Sequence, residues 1–432
     1  MTNQTIPMPH FGRRAMLQGL VGAAALGGLT ACGGDKKSST APGSGASVGG
    51  TVTVGSSQSD DIPRKAFAEM MAGFKKADVK INTIQHETFK EGINNYLQGS
   101  PDDVFTWFAG YRARYFADKQ LVGDVSDVWE KIDGMPESMK NLATADGKQI
   151  FVPSTYYPWG IFYRPSVWKQ HGYEVPKTKD EWLTLCEKMK KDGLNPIAFA
   201  NKDGWEAMGT FDMLNLRING YDHHVKLMAG EESWESEQVK KVFAAWKELL
   251  PFHQSDSLGR TWQEAAQSLI QKKSGMYTMG MFISQQFQAS KDAKEDIDFF
   301  AFPEFDAAVG TKVVEAPVDG FMMAAKPKNE AAAKELLLYL STPEAVGITI
   351  KSDPSVIAAN SKADQASYTP LQKKAVKMIE EAENISQFLD RDSRPDFANT
   401  VIGPAFQQFT KDPGAIDSIL KSVEEQKKSI FA

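Results

Sequence analysis

The amino-acid sequence predicts an α/β protein with more than one domain. A chain of 432 residues is longer than the chains that usually fold around a single hydrophobic core, so two domains are expected. From residue 51 to residue 108, strand-like and helix-like segments alternate in the order β-α-β-α-β, the pattern of a parallel sheet covered by helices. The region from about residue 195 to residue 287 is mostly helical by its apolar spacing, and strand-like segments return at IDFFAFPEF and FMMAAK.

The first strand is predicted at Thr51–Ser56, where TVTVGS alternates in the manner of a strand. A helix follows, because Phe67, Met70 and Phe74 recur at helical spacing. VKINTIQH predicts the second strand, EGINNYLQG the second helix, and DDVFTWF a third strand that stops near Phe108. Ligands gather beyond the carboxyl ends of strands in such sheets, so the ring- and arginine-rich stretch FTWFAGYRARYF marks the first candidate site.

The composition is that of an ordinary soluble protein, with 42% hydrophobic and 24% charged residues. A formal net charge of −6 and the lack of any long Lys/Arg run argue against nucleic acid as a partner. His223 and His224 are adjacent in the sequence, which is not the spacing of a zinc site on a helix. No metal and no cofactor are therefore expected.

Residues 1–31 are predicted to be an export signal. Arg13 and Arg14 precede an uncharged stretch rich in Gly and Ala, which is short for a membrane-spanning helix. LTAC, which ends at Cys32, resembles the lipobox of bacterial lipoproteins and implies that Cys32 carries a lipid. The arginine pair resembles a twin-arginine signal, but the residues around it depart from that pattern, so twin-arginine and general secretory export both stay open.

Residues 32–50 are rich in Gly, Ser and Lys and are predicted to form a flexible tether. We therefore expect an exported lipoprotein that is attached to the cell membrane through Cys32 and faces the outside. Once Cys32 is lipidated, Cys186 has no cysteine left to pair with, so the mature chain is expected to lack a disulfide.

Four stretches resemble one family: FYRPSVWKQHGYEVPKTKDEWLTLCEKMKKDGLNPIAFA, KSGMYTMGMF, PVDGFMMAAK and KNEAAAKELLLYLSTPEA. The longest has an aromatic strand, a helix ending in Gly, a Pro-x-Thr turn and an acid-aromatic helix, carried by Tyr163, Gly172, Pro176, Thr178 and Trp182. In their order and separation, the four stretches are similar to the extracellular solute-binding proteins of bacterial ABC importers, in the carbohydrate-binding branch related to maltose-binding protein. The resemblance covers nearly all of the mature chain.

The resemblance implies an α/β, two-lobed, periplasmic-binding-protein-like fold. Discontinuous lobes would be joined by a multi-segment hinge, with the ligand cleft between them. The N-terminal lobe would comprise residues 51–157 plus 312–356, and the C-terminal lobe residues 160–308 plus 360–432. The hinge crossings would lie near Tyr157–Gly160, Phe305–Gly310 and Pro354–Asn360.

A sugar ring needs two kinds of surface, and the candidate stretches supply both. Aromatic rings cover the apolar CH faces of a pyranose, and planar polar side chains reach its hydroxyls. The ligand-binding residues that we predict on these grounds are Gln58, Glu87, Trp107, Tyr111, Arg112, Tyr157, Trp159, Trp205, Met281, Phe282, Asp319, Gly320, Asp390 and Arg391. Trp107, Tyr157, Trp159, Met281 and Phe282 equally fit ordinary core positions. In the segment LDRDSRPDF, surface ion pairs are favoured except at Asp390 and Arg391.

The resemblance implies a binding protein without catalytic residues. Its partners would be a mono- or oligosaccharide, the permease subunits of an ABC importer and the membrane, and the protein is expected to be a monomer. Two alternatives stay open: an exported glycoside hydrolase that uses two carboxylates, and the same receptor fold binding a glycerophosphodiester through Arg112 and Arg391. A polyamine or a metal ligand is disfavoured by the many rings.

Overall fold

The computed structural model describes residues 48–432. The predicted export signal, the predicted lipidation site Cys32 and the predicted tether up to residue 47 lie outside the described residues. The strands are β1 (Thr51–Ser56), β2 (Asp78–Thr83), β3 (Val104–Phe108), β4 (Thr144–Ala145), β5 (Lys148–Gln149), β6 (Val152–Tyr156), β7 (Trp159–Tyr163), β8 (Asn195–Ala198), β9 (Ser274–Gly280), β10 (Asp298–Phe300), β11 (Val313–Glu315), β12 (Val318–Met323), β13 (Ile357–Ala358) and β14 (Asn384–Ser386).

The helices alternate with these strands along the chain. They are α1 (Asp61–Gly73), α2 (His86–Gln98), α3 (Tyr111–Asp118), α4 (Ser126–Trp129), α5 (Glu137–Leu142), α6 (Pro165–His171), α7 (Lys179–Lys191), α8 (Glu206–Ile218), α9 (Gly220–Met228), α10 (Glu237–Leu249), α11 (Trp262–Ile270), α12 (Ser284–Gln288), α13 (Glu330–Leu340), α14 (Pro343–Ser352), α15 (Pro370–Glu380), α16 (Leu389–Asp392), α17 (Pro395–Phe397), α18 (Gly403–Lys411) and α19 (Ile416–Ile430). Within the described range, no helix is both long enough and apolar enough to cross a membrane.

Two main sheets organise the fold. The larger has six strands in the order β13-β6-β12-β3-β1-β2, and the smaller has four in the order β10-β7-β9-β8. The predicted β-α-β-α-β start is confirmed: β1 pairs in parallel with both β2 and β3. The complete sheet is mixed, because β12 runs antiparallel to β3 and β6.

The second helix begins earlier than the sequence predicts. The strand expected over VKINTIQH ends at Thr83, and α2 already starts at His86. The side chain of Gln85 accepts a hydrogen bond from the backbone N–H of Thr88 at 2.8 Å, and this N-cap fixes the start of the helix. The earlier start places Glu87 and Lys90 on a helix that faces the other half of the molecule.

Each main sheet has its own hydrophobic core. The first core surrounds the six-stranded sheet and includes Val54, Phe105 and Leu336; the second surrounds the four-stranded sheet and includes Phe162 and Trp246. We call the parts of the chain around these cores the first half and the second half. One passage from the second core to the first lies between residues 316 and 318. Several residues that the sequence assigned to the N-terminal lobe pack in the second core: Tyr157, Val313, Val314, Ala316, Val346, Ile350 and Val356.

Candidate functional site

A cavity of about 490 Å³ is lined by residues of both halves, and we call it the cleft. The first half contributes the ends of β1 and β3, the start of β12, the first turns of α2 and part of β6. The second half contributes Tyr157 and Trp159, the loop before α8, the start of α11 and the segment Phe388–Arg391. Its size and its mixed lining are those of a small-molecule site.

Strand register brings the first-half residues to one edge of the sheet. Asp319 at the start of β12 stands opposite Phe108 at the end of β3, so both face the cleft. The next residue, Gly320, lies at a β-bulge, where an added Cβ would come within 2.2 Å of the carbonyl oxygen of Val152. Glycine is therefore required at this position, and the bulge sets the direction of Asp319.

An aromatic wall closes the cleft on the side of the second half. Trp159 stacks on Phe388, with ring centroids 4.9 Å apart and an interplanar angle of 22°. The benzo edge of the Trp159 indole packs on Gly209 of α8, where an added Cβ would approach within 2.2 Å. The indole is thus locked in place by its stacking partner and by the missing side chain at residue 209.

Phe282 links the other rings of this wall. Its ring lies 5.3 Å from Tyr157, 5.0 Å from Trp262 and 6.2 Å from Trp205, measured between centroids. Trp205 is only partly buried, whereas Tyr157 and Trp262 are buried. Trp205 and Phe282, which is also only partly buried, are therefore the rings of this wall with surface left to stack against a bound molecule.

Arg391 is the first of two cations that organise the polar part of the cleft. Its guanidinium donates to Asp319 Oδ1 at 2.7 Å and to the Tyr157 hydroxyl at 2.9 Å. It also lies over the ring of Phe108, 4.2 Å from the centroid. Burial raises the pKa of Asp319 above its ordinary value, although Arg391 opposes that shift. The arginine therefore binds Asp319 of the first half and Tyr157 of the second half at the same time.

Lys90 is the second such cation. Its Nζ lies 3.1 Å from Glu87 Oε2 and 3.3 Å from Asp390 Oδ2, and the same Asp390 oxygen pairs with Arg112 at 3.2 Å. Burial acts to raise the pKa of Asp390, but the surrounding cations outweigh it and hold that pKa below its ordinary value. Glu87 Oε1 in turn accepts a hydrogen bond from Trp205 Nε1 at 3.1 Å, across the cleft. The described residues contain no cluster of His, Cys, Asp and Glu suited to a metal ion.

The comparisons with known proteins agree with this architecture. Residues 58–347, more than half of the chain, match the bacterial extracellular solute-binding protein family. The chain belongs to this family. An ABC transporter extracellular-binding protein of Pyrococcus horikoshii is 27% identical over 293 residues, which cover 66% of this chain and 65% of that protein. The alpha-glucosides-binding periplasmic protein AglE of Rhizobium meliloti is 26% identical over 306 residues, 64% of this chain and 65% of its own length.

Among solved structures, the bacterial solute receptor AcbH superimposes on this solute-binding protein with a TM-score of 0.86 and 43% sequence identity. The match covers 89% of this chain and 100% of AcbH, which is described as having an exclusive substrate preference for β-D-galactopyranose. The acarbose receptor GacH of Streptomyces glaucescens, at 15% identity and a TM-score of 0.73, shares the fold, over 89% of this chain and 98% of its own. The predicted two-lobed receptor fold and the predicted relationship to sugar receptors of ABC transporters are confirmed.

Eleven of the predicted site residues of this solute-binding protein line the cleft: Gln58, Glu87, Trp107, Tyr157, Trp159, Trp205, Phe282, Asp319, Gly320, Asp390 and Arg391. Their contact with a ligand stays a prediction. Tyr111, Arg112 and Met281 are not part of the lining. Arg112 and Met281 are fully buried, the former behind Asp390 and the latter in the second core, and Tyr111 opens α3.

Sequence reasoning missed several residues that line the cleft, among them Lys90, His86, Thr155 and Gln285. A signal for Lys90 was present, because it lies on the same face of α2 as the buried Ile93 and Leu97. A lysine on an apolar helix face is unusual unless a partner meets it there. The partner, Asp390, lies 300 residues further along the chain, and no local sequence pattern predicts the pair.

Proposed function

We propose that this solute-binding protein is the receptor of an ABC importer for a neutral hexopyranose of the galactose type, which it binds in the cleft. The observation that carries the proposal is the pairing of charges. Six carboxylates and three cations line the cleft. Lys90 and Arg391 are both engaged by protein carboxylates, and Lys202 is exposed. A ligand that brings a negative charge would have to displace a carboxylate from Lys90 or Arg391.

A neutral polyol suits the paired groups. A carboxylate that is held by one cation still has lone pairs to accept from a hydroxyl, and the cation retains N–H groups to donate. The partly buried ring of Trp205 offers an apolar face for the ring carbons of the sugar. Each buried hydroxyl without a partner costs on the order of 1–3 kcal/mol, so such a site distinguishes sugars by stereochemistry. The 43% identity to AcbH supports the galactose configuration.

The two alternatives fit the cleft less well. A glycerophosphodiester needs free cations, and Arg391 is already bonded to Asp319 and Tyr157 while Arg112 lies buried outside the lining. A glycosidase needs a carboxylic acid that is free to give up a proton. Of the carboxyl groups predicted for the site, Glu87 and Asp390 are held by Lys90 and Asp319 is held by Arg391. We therefore propose a receptor that performs no covalent chemistry.

The mechanism that we propose is closure of the two halves around the sugar. A ligand that contacts both halves stabilises the closed arrangement by its differential affinity for that state. The chain would work as a monomer, attached to the membrane through a lipid on Cys32, and would hand the sugar to the permease subunits. The lobes that we propose are those given by the sequence, except that several residues assigned there to the N-terminal lobe pack in the second core: Tyr157, Val313, Val314, Ala316, Val346, Ile350 and Val356.

The test is a thermal-shift and calorimetry screen with D-galactose, D-glucose, D-xylose, maltose and glycerophosphocholine, followed by chromatography of each mixture. A ligand that binds the folded state adds about 2.7 kcal/mol of stability at about 100 times its Kd. We expect D-galactose to give the largest shift and every sugar to be recovered intact. A response confined to glycerophosphocholine, or shorter products from maltose, would refute the proposal in favour of the corresponding alternative.

A further inference from the structure

Lys90 contacts ligand-binding candidates from both halves of the molecule. We propose that Lys90 is a positioning residue, which holds Glu87, Asp390 and Trp205 in the geometry that the sugar requires. The inference rests on the proposed function, because it assumes that these three side chains bind the sugar. Neither the sequence nor the relationship to other receptors assigns a role to this residue.

The contacts of Lys90 reach across the cleft. Glu87 precedes it by one turn on α2, whereas Asp390 and Trp205 belong to the second half. The Lys90 Nζ lies 5.6 Å from the centre of the Trp205 ring, within the range of a cation–π interaction. Because Glu87 also accepts from Trp205 Nε1, Lys90 holds this ring directly and through the carboxylate. The ammonium group thus acts on the orientation of this ring in two ways, in addition to the packing of the ring against Phe282 and Phe388.

Burial makes these contacts costly to lose. The side chain of Lys90 is 9% exposed and that of Asp390 is 5% exposed, so neither charge is well hydrated. A buried charge that loses its partner keeps its desolvation cost without compensation. Without Lys90, Glu87 loses its ion pair and Asp390 retains Arg112, which meets the same oxygen, Oδ2. We expect Glu87 and the Trp205 ring above it to adopt other rotamers.

The aliphatic stem of Lys90 lies in an apolar environment. An uncharged side chain of similar length can therefore test the role of Lys90 in binding without disturbing the fold. Lys90 lies on the same face of α2 as Ile93 and Leu97, which are both buried in the first core. Methionine has a similar length and no charge, so Lys90→Met should pack on this face without opening a cavity. A residue that serves the fold alone would then tolerate the substitution without any change in sugar affinity.

The experiment measures sugar binding by calorimetry in the wild type, Lys90→Met and Lys90→Arg, with D-galactose as the probe or, failing a response, the sugar with the largest shift in the screen. Truncating one partner of a buried charge pair in a binding site raises Kd by about 30-fold or more. We expect Lys90→Met to raise Kd by about 30-fold or more and Lys90→Arg to stay within about threefold of the wild type. Lys334→Met is the matched control, because Lys334 also bridges two carboxylates, Asp127 and Glu330, but on the surface.

Monodeoxy sugars distinguish positioning from direct contact. If Lys90 acts through Glu87, Asp390 and Trp205 together, Lys90→Met should weaken the parent sugar and every deoxy analogue, because no single hydroxyl carries the whole effect. An analogue whose affinity is the same in both proteins would show that the effect of Lys90 passes through one hydroxyl alone, and would overturn the positioning of three groups. Equal affinity of the wild type and Lys90→Met would overturn it as well. A wild type that binds no sugar would instead refute the proposed function.

Discussion

Glu206, the first residue of α8, is predicted to make the stability of the protein depend on pH. Its side chain is buried, and among the described residues neither carboxyl oxygen has a hydrogen-bond partner in another residue. Burial raises the pKa of Glu206 from 4.5 to about 8. A carboxyl whose pKa rises on folding binds its proton more tightly in the folded state than in the unfolded chain. Its contribution to stability is therefore complete below pH 4.5 and is lost as the pH rises to about 8.

The size of the effect follows from the two pKa values. Each pKa unit corresponds to about 1.36 kcal/mol, so the rise from 4.5 to about 8 amounts to about 5 kcal/mol in all. About 3 kcal/mol of this is already lost at pH 7, because there the unfolded chain releases the proton that the folded protein still holds. Glu206→Gln has no proton to release. The unfolding free energy of the variant relative to the wild type should therefore increase by about 3 kcal/mol between about pH 4.5 and pH 7.

The assay is urea denaturation of both proteins at a series of pH values, followed by tryptophan fluorescence and extrapolated to water. Other buried carboxyls titrate equally in both proteins, so the difference between the two curves isolates Glu206. Burying the amide of the Glu206→Gln variant shifts its unfolding free energy by an amount that does not depend on pH. Such a shift does not affect the test, because only the change of the difference with pH is used. A difference that stays flat within about 1 kcal/mol from pH 4.5 to pH 8 would show that Glu206 does not hold its proton in the folded state.

Three further outcomes are expected. Trp205→Leu should weaken sugar binding by about tenfold or more and abolish most of the ligand-dependent change in fluorescence, as measured by titration; unchanged affinity would remove this ring from the site. Arg391→Met should lower the unfolding free energy by about 3–5 kcal/mol because Asp319 loses its partner, and adding Asp319→Asn should restore part of it in urea denaturation; no restoration would contradict the pairing. Asp212 and Glu315 are in contact and fully buried, and burial raises both pKa values well above their ordinary values. The unfolding free energy should therefore fall as the pH rises, and should fall less in Asp212→Asn; parallel curves would show that Asp212 does not hold a proton in the folded state.

The positions of individual residues show how far local pattern could reach. Trp107, Asp319 and Gly320 were predicted from the ends of strands, and strand register brings them to the cleft. Met281 follows a strand in the same way, but it points into the second core, and Arg112 turns from the predicted ligand towards Asp390. The spacing of apolar residues and the order of the strands indicate that a residue lies near a sheet edge. They do not indicate which of two neighbouring side chains meets solvent.

The sequence by itself determined the fold class, the alternation of strands and helices at the start of the chain, and the relationship to sugar receptors, because each of these depends on residues that are close together along the chain. The tertiary structure alone decided which charges meet. Glu87 bonds to Trp205 across 118 residues, and Arg112 pairs with Asp390 across 278. The energy of a buried charge depends on its partner and on how far it lies from water. Both are set only when the two halves come together.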